Sequence, residues 1–182
     1  MRALILCGSR RGGFTSSMCE SFASGLNSEN IETEIIYPIE LDINHCTGCG
    51  YCSKNMVCNI EDDMKRIYEM FEKADLLILS SPVRFSGPSS VIKIVIDRFQ
   101  PFWYCESQHP LYVLALMNGG GKHPEFKNLT SVFKAFSITI GMKWMGDISI
   151  SDTDSNKPDF VRDSAYRFGK ETGITLNSEN RV

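Results

Sequence analysis

The sequence predicts an α/β protein, a doubly wound sandwich with helices on both faces of a parallel five-stranded sheet. Two observations carry this expectation. Short apolar runs rich in β-branched residues alternate with segments of helical period, and several runs are continuously apolar, as strands buried on both faces are. Alternating elements of this kind are joined by right-handed crossovers and place their ligands beyond the carboxyl ends of the strands.

The strands are expected at Ala3 to Cys7, Ile31 to Tyr37, Leu76 to Ser80, Leu111 to Met117 and Lys143 to Ile150. Between them, Met18, Phe22 and Leu26 recur at four residues, Met64, Ile67 and Phe71 at three and four, and Val91, Val95 and Phe99 at four, each an amphipathic helical stripe. Further helices are expected from Glu125 to Ile140 and from Phe160 to Glu171, the latter after the polar stretch SDTDSNK, with fraying beyond Gly173. The segment from Asp42 to Asn59 departs from the alternation and reads as a cysteine-rich insert after the second strand.

The 182 residues suffice to bury about 70% of the unfolded surface in one core and suggest a single domain, 1–182. With 42% hydrophobic and 23% charged residues, the composition is that of a globular chain. A net charge of -3 with scattered Lys and Arg offers no field for nucleic acid. The first residues lack the apolar core of a signal peptide, and no run approaches the ~20 apolar residues of a membrane span, so a cytoplasmic protein is expected. Four of the seven cysteines fall within 13 residues, which in a reducing compartment points to metal rather than disulfides.

The loop after the first strand, GSRRGGFTSS from Gly8 to Ser17, leads directly into a helix. Backbone N–H groups at a helix N-terminus and the hydroxyls of Ser9, Thr15, Ser16 and Ser17 can surround a phosphate dianion. The loop is neither GxxxxGK[ST] nor GxGxxG, so the monophosphate of FMN suits it better than ATP or NAD. The alternative is a capping box of Ser17 with Glu20, the glycines merely turning the chain.

After the third strand comes SSPVRFSGPSSVIKIVIDRF, and after the fourth MNGGG. These segments resemble the NAD(P)H-dependent FMN reductase group of flavodoxin-like proteins, whose members typically read GSxRxxxxT/S, SPVYF plus Gly with a helix ending in IDR, and a glycine-rich loop at the corresponding places. The resemblance covers nearly the whole chain. It implies the flavodoxin-like strand order 2-1-3-4-5, with Ser9, Arg11, Phe14, Thr15 and Ser16 binding the FMN phosphate and ribityl chain. Pro82, Val83, Arg84 and Phe85 would line the isoalloxazine, and Asn118, Gly119 and Gly120 would close its other side. Arg84 replaces the common aromatic, so a guanidinium would stack on the ring or stabilise reduced flavin there, unless it is simply an exposed loop charge.

The insert reads HCTGCGYCSKNMVCNIEDDM, placing Cys46, Cys49, Cys52 and Cys58 in a C-x2-C-x2-C-x5-C pattern. Thiolates at this spacing can converge on one cubane [4Fe-4S] cluster, with Gly48 and Gly50 freeing the turn. Zinc more often takes two CxxC pairs separated by a longer connection and ranks second. A bare or oxidised cysteine loop is the remaining reading. The spacing resembles that of the iron-sulfur flavoproteins, a branch of the same FMN-binding group. Glu61, Asp62 and Asp63 read as first-turn acids of the next helix. Cys7 and Cys19 read as buried small hydrophobes, Cys105 has no assigned role, and His45, His109 and His123 read as solvated loop residues. FQPFWY is expected to be core or subunit interface.

The resemblance implies a flavin-dependent oxidoreductase in which the cluster relays electrons between a carrier such as ferredoxin and FMN, which reduces a small-molecule acceptor. It also implies a homodimer or homotetramer. Two alternatives stand: a cluster-free NAD(P)H-dependent FMN or quinone reductase, and a non-enzymatic electron carrier or redox sensor.

Overall fold

The computed structural model describes residues 1–104, 109–155 and 158–179, so Cys105 lies outside the described residues. The strands are β1 (Arg2–Cys7), β2 (Glu32–Ile36), β3 (Leu76–Pro82), β4 (Tyr112–Asn118) and β5 (Lys143–Ile150), all parallel, in the order β2-β1-β3-β4-β5. This is the expected flavodoxin-like sheet. The order reverses at β1, and in such sheets the crevice between β1 and β3 is the natural ligand site.

β3 runs two residues beyond the expected Ser80, because Ser81 and Pro82 stay in register with Met117 and Asn118 of β4. Pro82, which cannot donate to the ladder, ends the strand. Alternation along β1 divides the core. Ala3, Ile5 and Cys7 join the layer beneath α1 (Phe14–Asn27) and α7 (Pro158–Glu179). Leu4 and Leu6 join the layer formed with α3 (Met64–Phe71), α4 (Ser90–Arg98) and α6 (Lys127–Ile140). Both Cys7 and Cys19 are fully buried, as expected. Phe99 and Phe102 pack with Phe71 at centroid distances of 4.7 and 5.0 Å, whereas Trp103 and Tyr104 of the short α5 (Pro101–Tyr104) stack on each other in the open.

The expectation of fraying beyond Gly173 does not hold, for α7 continues to Glu179 with Leu176 fully buried. Its docking on α1 is unusually close. A Cβ on Gly169 would lie 2.3 Å from the carbonyl oxygen of Phe22, and one on Gly25 would lie 2.3 Å from that of Tyr166. Backbone meets backbone there, and Asn177 Nδ2 donates to the carbonyl of Glu29 at 3.0 Å to tie down the last turn.

The insert closes at its base, where Asp63 N donates to Asp42 O at 3.0 Å and Asp42 N donates to the Asp63 carboxylate at 2.8 Å. Within it, α2 (Tyr51–Asn55) is flanked by Gly50 and Met56, both in the left-handed region. No helix among the described residues is long and apolar enough to cross a membrane.

Candidate functional site

The phosphate-type loop is built around Gly8. Its N–H donates to Ser80 O at 2.7 Å, and its carbonyl accepts from Ser89 Oγ at 2.7 Å, while Ser89 N donates to Ser81 Oγ at 2.9 Å. A Cβ at Gly8 would fall 2.8 Å from both Ser80 O and Ser89 Oγ, so only glycine lets the loops after β1 and β3 meet this closely.

Helix α1 starts at Phe14 with Gly13 as its N-cap, no side-chain cap and no acid in its first turn. The capping-box alternative therefore fails: Ser17 lies inside the helix. The opening N–H groups and the positive end of the helix dipole remain suited to an anion. Gly12 N donates to Ser16 Oγ at 2.9 Å, and buried Thr15 Oγ1 donates to Asn118 Oδ1 at 2.7 Å, tying the first loop to the end of β4. Arg11 pairs with Glu40 at 2.7 Å and lies 3.9 Å over the Tyr37 ring.

Beyond β3, Arg84 and Gly87 exchange two backbone hydrogen bonds of 2.9 Å, forming a tight turn whose central residues, Phe85 and Ser86, sit at φ 48° and 63°. Two non-glycine residues in the left-handed region cost energy. The turn leaves the Phe85 ring wholly exposed. A cleft of about 670 Å³ runs along this face, lined by Gly8, Ser9, Pro82, Arg84 and Phe85 together with Arg10, Ile39, Ser89, Ser90 and Lys93. That volume is typical of cofactor sites.

Of the expected FMN residues, Ser9, Pro82, Arg84 and Phe85 line the cleft, while Arg11, Phe14, Thr15, Ser16, Val83, Asn118, Gly119 and Gly120 do not. The glycines after Asn118 are held to the end of β5 and the loop beyond it by Gly119 N donating to Ile150 O at 2.9 Å and Asp154 N donating to Gly120 O at 3.1 Å. Ser89, Ser90 and Arg10 were not singled out from sequence, although Ser-Ser before an apolar helix is a legible N-terminal signal.

The second concavity belongs to the insert. Cys46, Cys49, Cys52 and Cys58 all line a cavity of about 370 Å³, together with Asp97, Arg98, Gln100 and Tyr104. Burial, and to a lesser degree the neighbouring thiols of Cys58, Cys46 and Cys49, push the Cys52 thiol up. Cys49 Sγ also lies 3.6 Å from Asn59 Oδ1. Among the described residues, no three His, Cys, Asp or Glu side chains are drawn together closely enough to hold a metal ion.

Asp62 corrects the reading of the acidic run. The run precedes α3 instead of filling its first turn, Asp63 being the N-cap, and the Asp62 side chain is 1% exposed, bonded to the equally buried Arg98 at 2.5 Å. Arg98 Nη1 donates also to Asn44 O at 2.7 Å and Nη2 to Ile60 O at 3.4 Å, while Asp62 accepts from Asn44 N at 2.9 Å and Met64 N at 3.0 Å. One ion pair thus holds both ends of the cysteine loop against the end of α4. Burial alone would raise the Asp62 pKa, but the Arg98 guanidinium and these N–H donors hold it below the usual carboxylate range.

A parallel sheet of order 2-1-3-4-5, with a glycine- and hydroxyl-lined cleft beside its switch strand, defines a flavodoxin-like protein of the mononucleotide-binding type. The chain belongs to the NADPH-dependent FMN reductase family, whose profile matches residues 1–156. It is 35% identical over 102 residues to an iron-sulfur flavoprotein of Methanocaldococcus jannaschii, covering 56% of this chain and 53% of the relative. To a putative NAD(P)H-dependent FMN-containing oxidoreductase of Bacillus subtilis it is 30% identical over 175 residues, covering 88% and 89%. The chain spans about half to two thirds of the length of the first iron-sulfur flavoproteins it matches. Among solved structures, a flavone reductase superposes with a TM-score of 0.76 at 19% identity over 99% of this chain and 64% of its own, a likeness of fold.

Proposed function

We propose that this chain is an FMN-dependent oxidoreductase that exchanges electrons with a one-electron carrier through a [4Fe-4S] cluster on Cys46, Cys49, Cys52 and Cys58, and reduces a small acceptor. The observation that carries this reading is the placement of α4. Its N-cap Ser89 and first residue Ser90 line the cleft beside Gly8, and its last residues, Asp97 and Arg98, line the cysteine cavity. Nine residues at a rise of ~1.5 Å separate the two sites by roughly 13 Å along one rigid element.

The residues present fit FMN; for the cluster the insert supplies the donor set, although no three of its thiols are drawn together. The uncapped start of α1 and the Gly8 approach suit the FMN phosphate, and Pro82 with the bent Arg84–Gly87 turn forms a rigid edge for a flat ring. Thr15 and Asn118, bonded to each other, fix the first loop beside that edge. Four thiols around one cavity are the donor set of an iron-sulfur cluster. Bound there, FMN supplies hydride or single-electron chemistry and the cluster single-electron transfer. The chain's own part is to bind, orient and set potentials, with Arg84 offering positive charge beside the ring, and no side chain is assigned as nucleophile or general base. Assembly into a homodimer or homotetramer, covering the cleft with a neighbouring subunit, belongs to the same proposal.

The test is anaerobic purification followed by assay of iron, sulfide, zinc and flavin in the wild type and a Cys49→Ala variant. About four iron and four sulfide per chain, lost in the variant while FMN is retained, supports the reading. Flavin without iron selects a second reading, a direct NAD(P)H-dependent reductase. The near full-length match to the Bacillus subtilis oxidoreductase and the unconverged thiols favour that alternative. Rapid bleaching of bound FMN by NADPH without ferredoxin would establish it.

A further inference from the structure

The cleft after β1 and β3 carries more positive charge than FMN alone requires. Arg2, Arg11, Arg66, Arg98 and Arg162 each pair with a carboxylate. Arg10 and Arg84, which both line the cleft, have no acid partner among the described residues, and the Arg84 guanidinium reaches only the carbonyl of Val83 at 3.3 Å. No Asp or Glu is among the described residues lining the cleft, and its third cation, Lys93, is paired with Asp97 at 2.6 Å. In a chain of net charge -3, two unpaired guanidinium groups on one acid-free face make a positive potential that favours a negative ligand.

Phe85 lines the same cleft. Its ring is wholly exposed and its backbone sits at φ 48°, a region that suits glycine, asparagine or aspartate and is an outlier for a bulky side chain. Holding a large ring in water at the tip of a strained turn gains the free chain nothing, whereas a flat ligand laid on that ring would offset both costs. FMN accounts for part of the charge. Its phosphate is placed at the start of α1, in the loop that carries Arg10, which leaves Arg84, two residues beyond Pro82, at the end proposed for the ring.

We infer that the small acceptor is a planar aromatic anion, its ring stacked on Phe85 and its carboxylate or sulfonate held by Arg84. The inference rests on the proposed function and names the substrate class of that same cleft. The planar fork of a guanidinium meets such an oxyanion with paired N–H donors, and the adjacent ring face is the stacking partner. Reduced flavin is a competing claim on the Arg84 charge, but it would give no preference between charged and neutral acceptors.

The experiment titrates the oxidised, FMN-loaded full chain with anthraquinone-2-sulfonate and with the neutral 2-(hydroxymethyl)anthraquinone, following binding by calorimetry and by the perturbed flavin absorbance. Wild type should bind the sulfonate about tenfold more tightly, with a preference that shrinks at high salt. Arg84→Gln should abolish most of that preference. Phe85→Asn should weaken both ligands by roughly tenfold through the lost stacking and yet raise the urea midpoint, because asparagine tolerates the left-handed turn. A structural role for Phe85 would lower the midpoint instead, and an idle surface ring would raise it with both affinities unchanged; either result removes Phe85 from the site. Equal affinities in wild type, or a preference that survives Arg84→Gln, overturns the inference while FMN binding stands. Wild-type protein that does not bind FMN overturns the proposed function and this inference with it.

Discussion

Thr15 shows how much one hydroxyl determines at this site. Its hydrogen bond to Asn118 Oδ1 joins residues 103 apart in the chain and is buried, so Thr15→Ala strands the Asn118 amide away from water. The expected cost is about 1–3 kcal/mol, read as a lowered urea midpoint at unchanged m-value, together with weaker FMN binding. Both effects have one cause, because the bond fixes the first loop against the end of β4. The sequence marked Thr15 and Asn118 as site residues through the family resemblance, and placed Gly8 only at the start of the phosphate-type loop. It did not reveal Arg98 and Asp62 as partners, although VIDR and EDDM were both legible. The two lie 36 residues apart, and an acid before a helix has a sufficient local explanation in the helix dipole.

At the scale of elements, the two interfaces of consequence are α1 with α7 and α4 with the insert. Gly169→Val places side-chain atoms where the Phe22 carbonyl stands 2.3 Å from a Cβ. Overpacking of this kind costs about 1–3 kcal/mol, and hydrogen exchange should then show α7 opening before the sheet. The insert clasp predicts a pH dependence. Asp62 titrates below its unfolded value in the folded protein, so its stabilisation is fully present above the ordinary carboxylate pKa of ~3.9 and is lost as pH falls through the lower folded value. Asp62→Asn, which breaks a buried pair, should cost about 3–5 kcal/mol near pH 7. The gap from wild type should shrink as the pH is taken below ~4, and a gap independent of pH would remove Asp62 from this role. The sequence periodicity placed α7 but expected it to end early, because the glycines that weaken a lone helix are what allow this one to dock.

For the whole molecule, ligand linkage is the simplest test of the cleft. FMN that binds the folded chain and not the unfolded one, added at 100 times its Kd, stabilises by about 2.7 kcal/mol. For a chain of this size that corresponds to a rise in Tm of roughly 5–11 °C. Riboflavin, which lacks the phosphate, should give a much smaller rise if the start of α1 holds that group. Equal shifts from both would place the phosphate elsewhere. The strand order that puts the cleft beside β1 was legible through the family resemblance carried by the motifs after β1, β3 and β4, which lie at the sheet's ligand edge.

What the sequence by itself determined is therefore the alternation that makes the parallel sheet, the loops at its carboxyl edge and the four-cysteine spacing of the insert. Each is local, set by side-chain period, by glycine and proline at turns, and by residues within one loop. The tertiary structure alone decided that Arg11 pairs with Glu40, that α7 runs to Glu179, and that Arg98 and Asp62 join the insert to α4. These depend on which distant groups share a desolvated space, where an unpaired charge is expensive and a Cβ has no room. No periodicity along the chain encodes that.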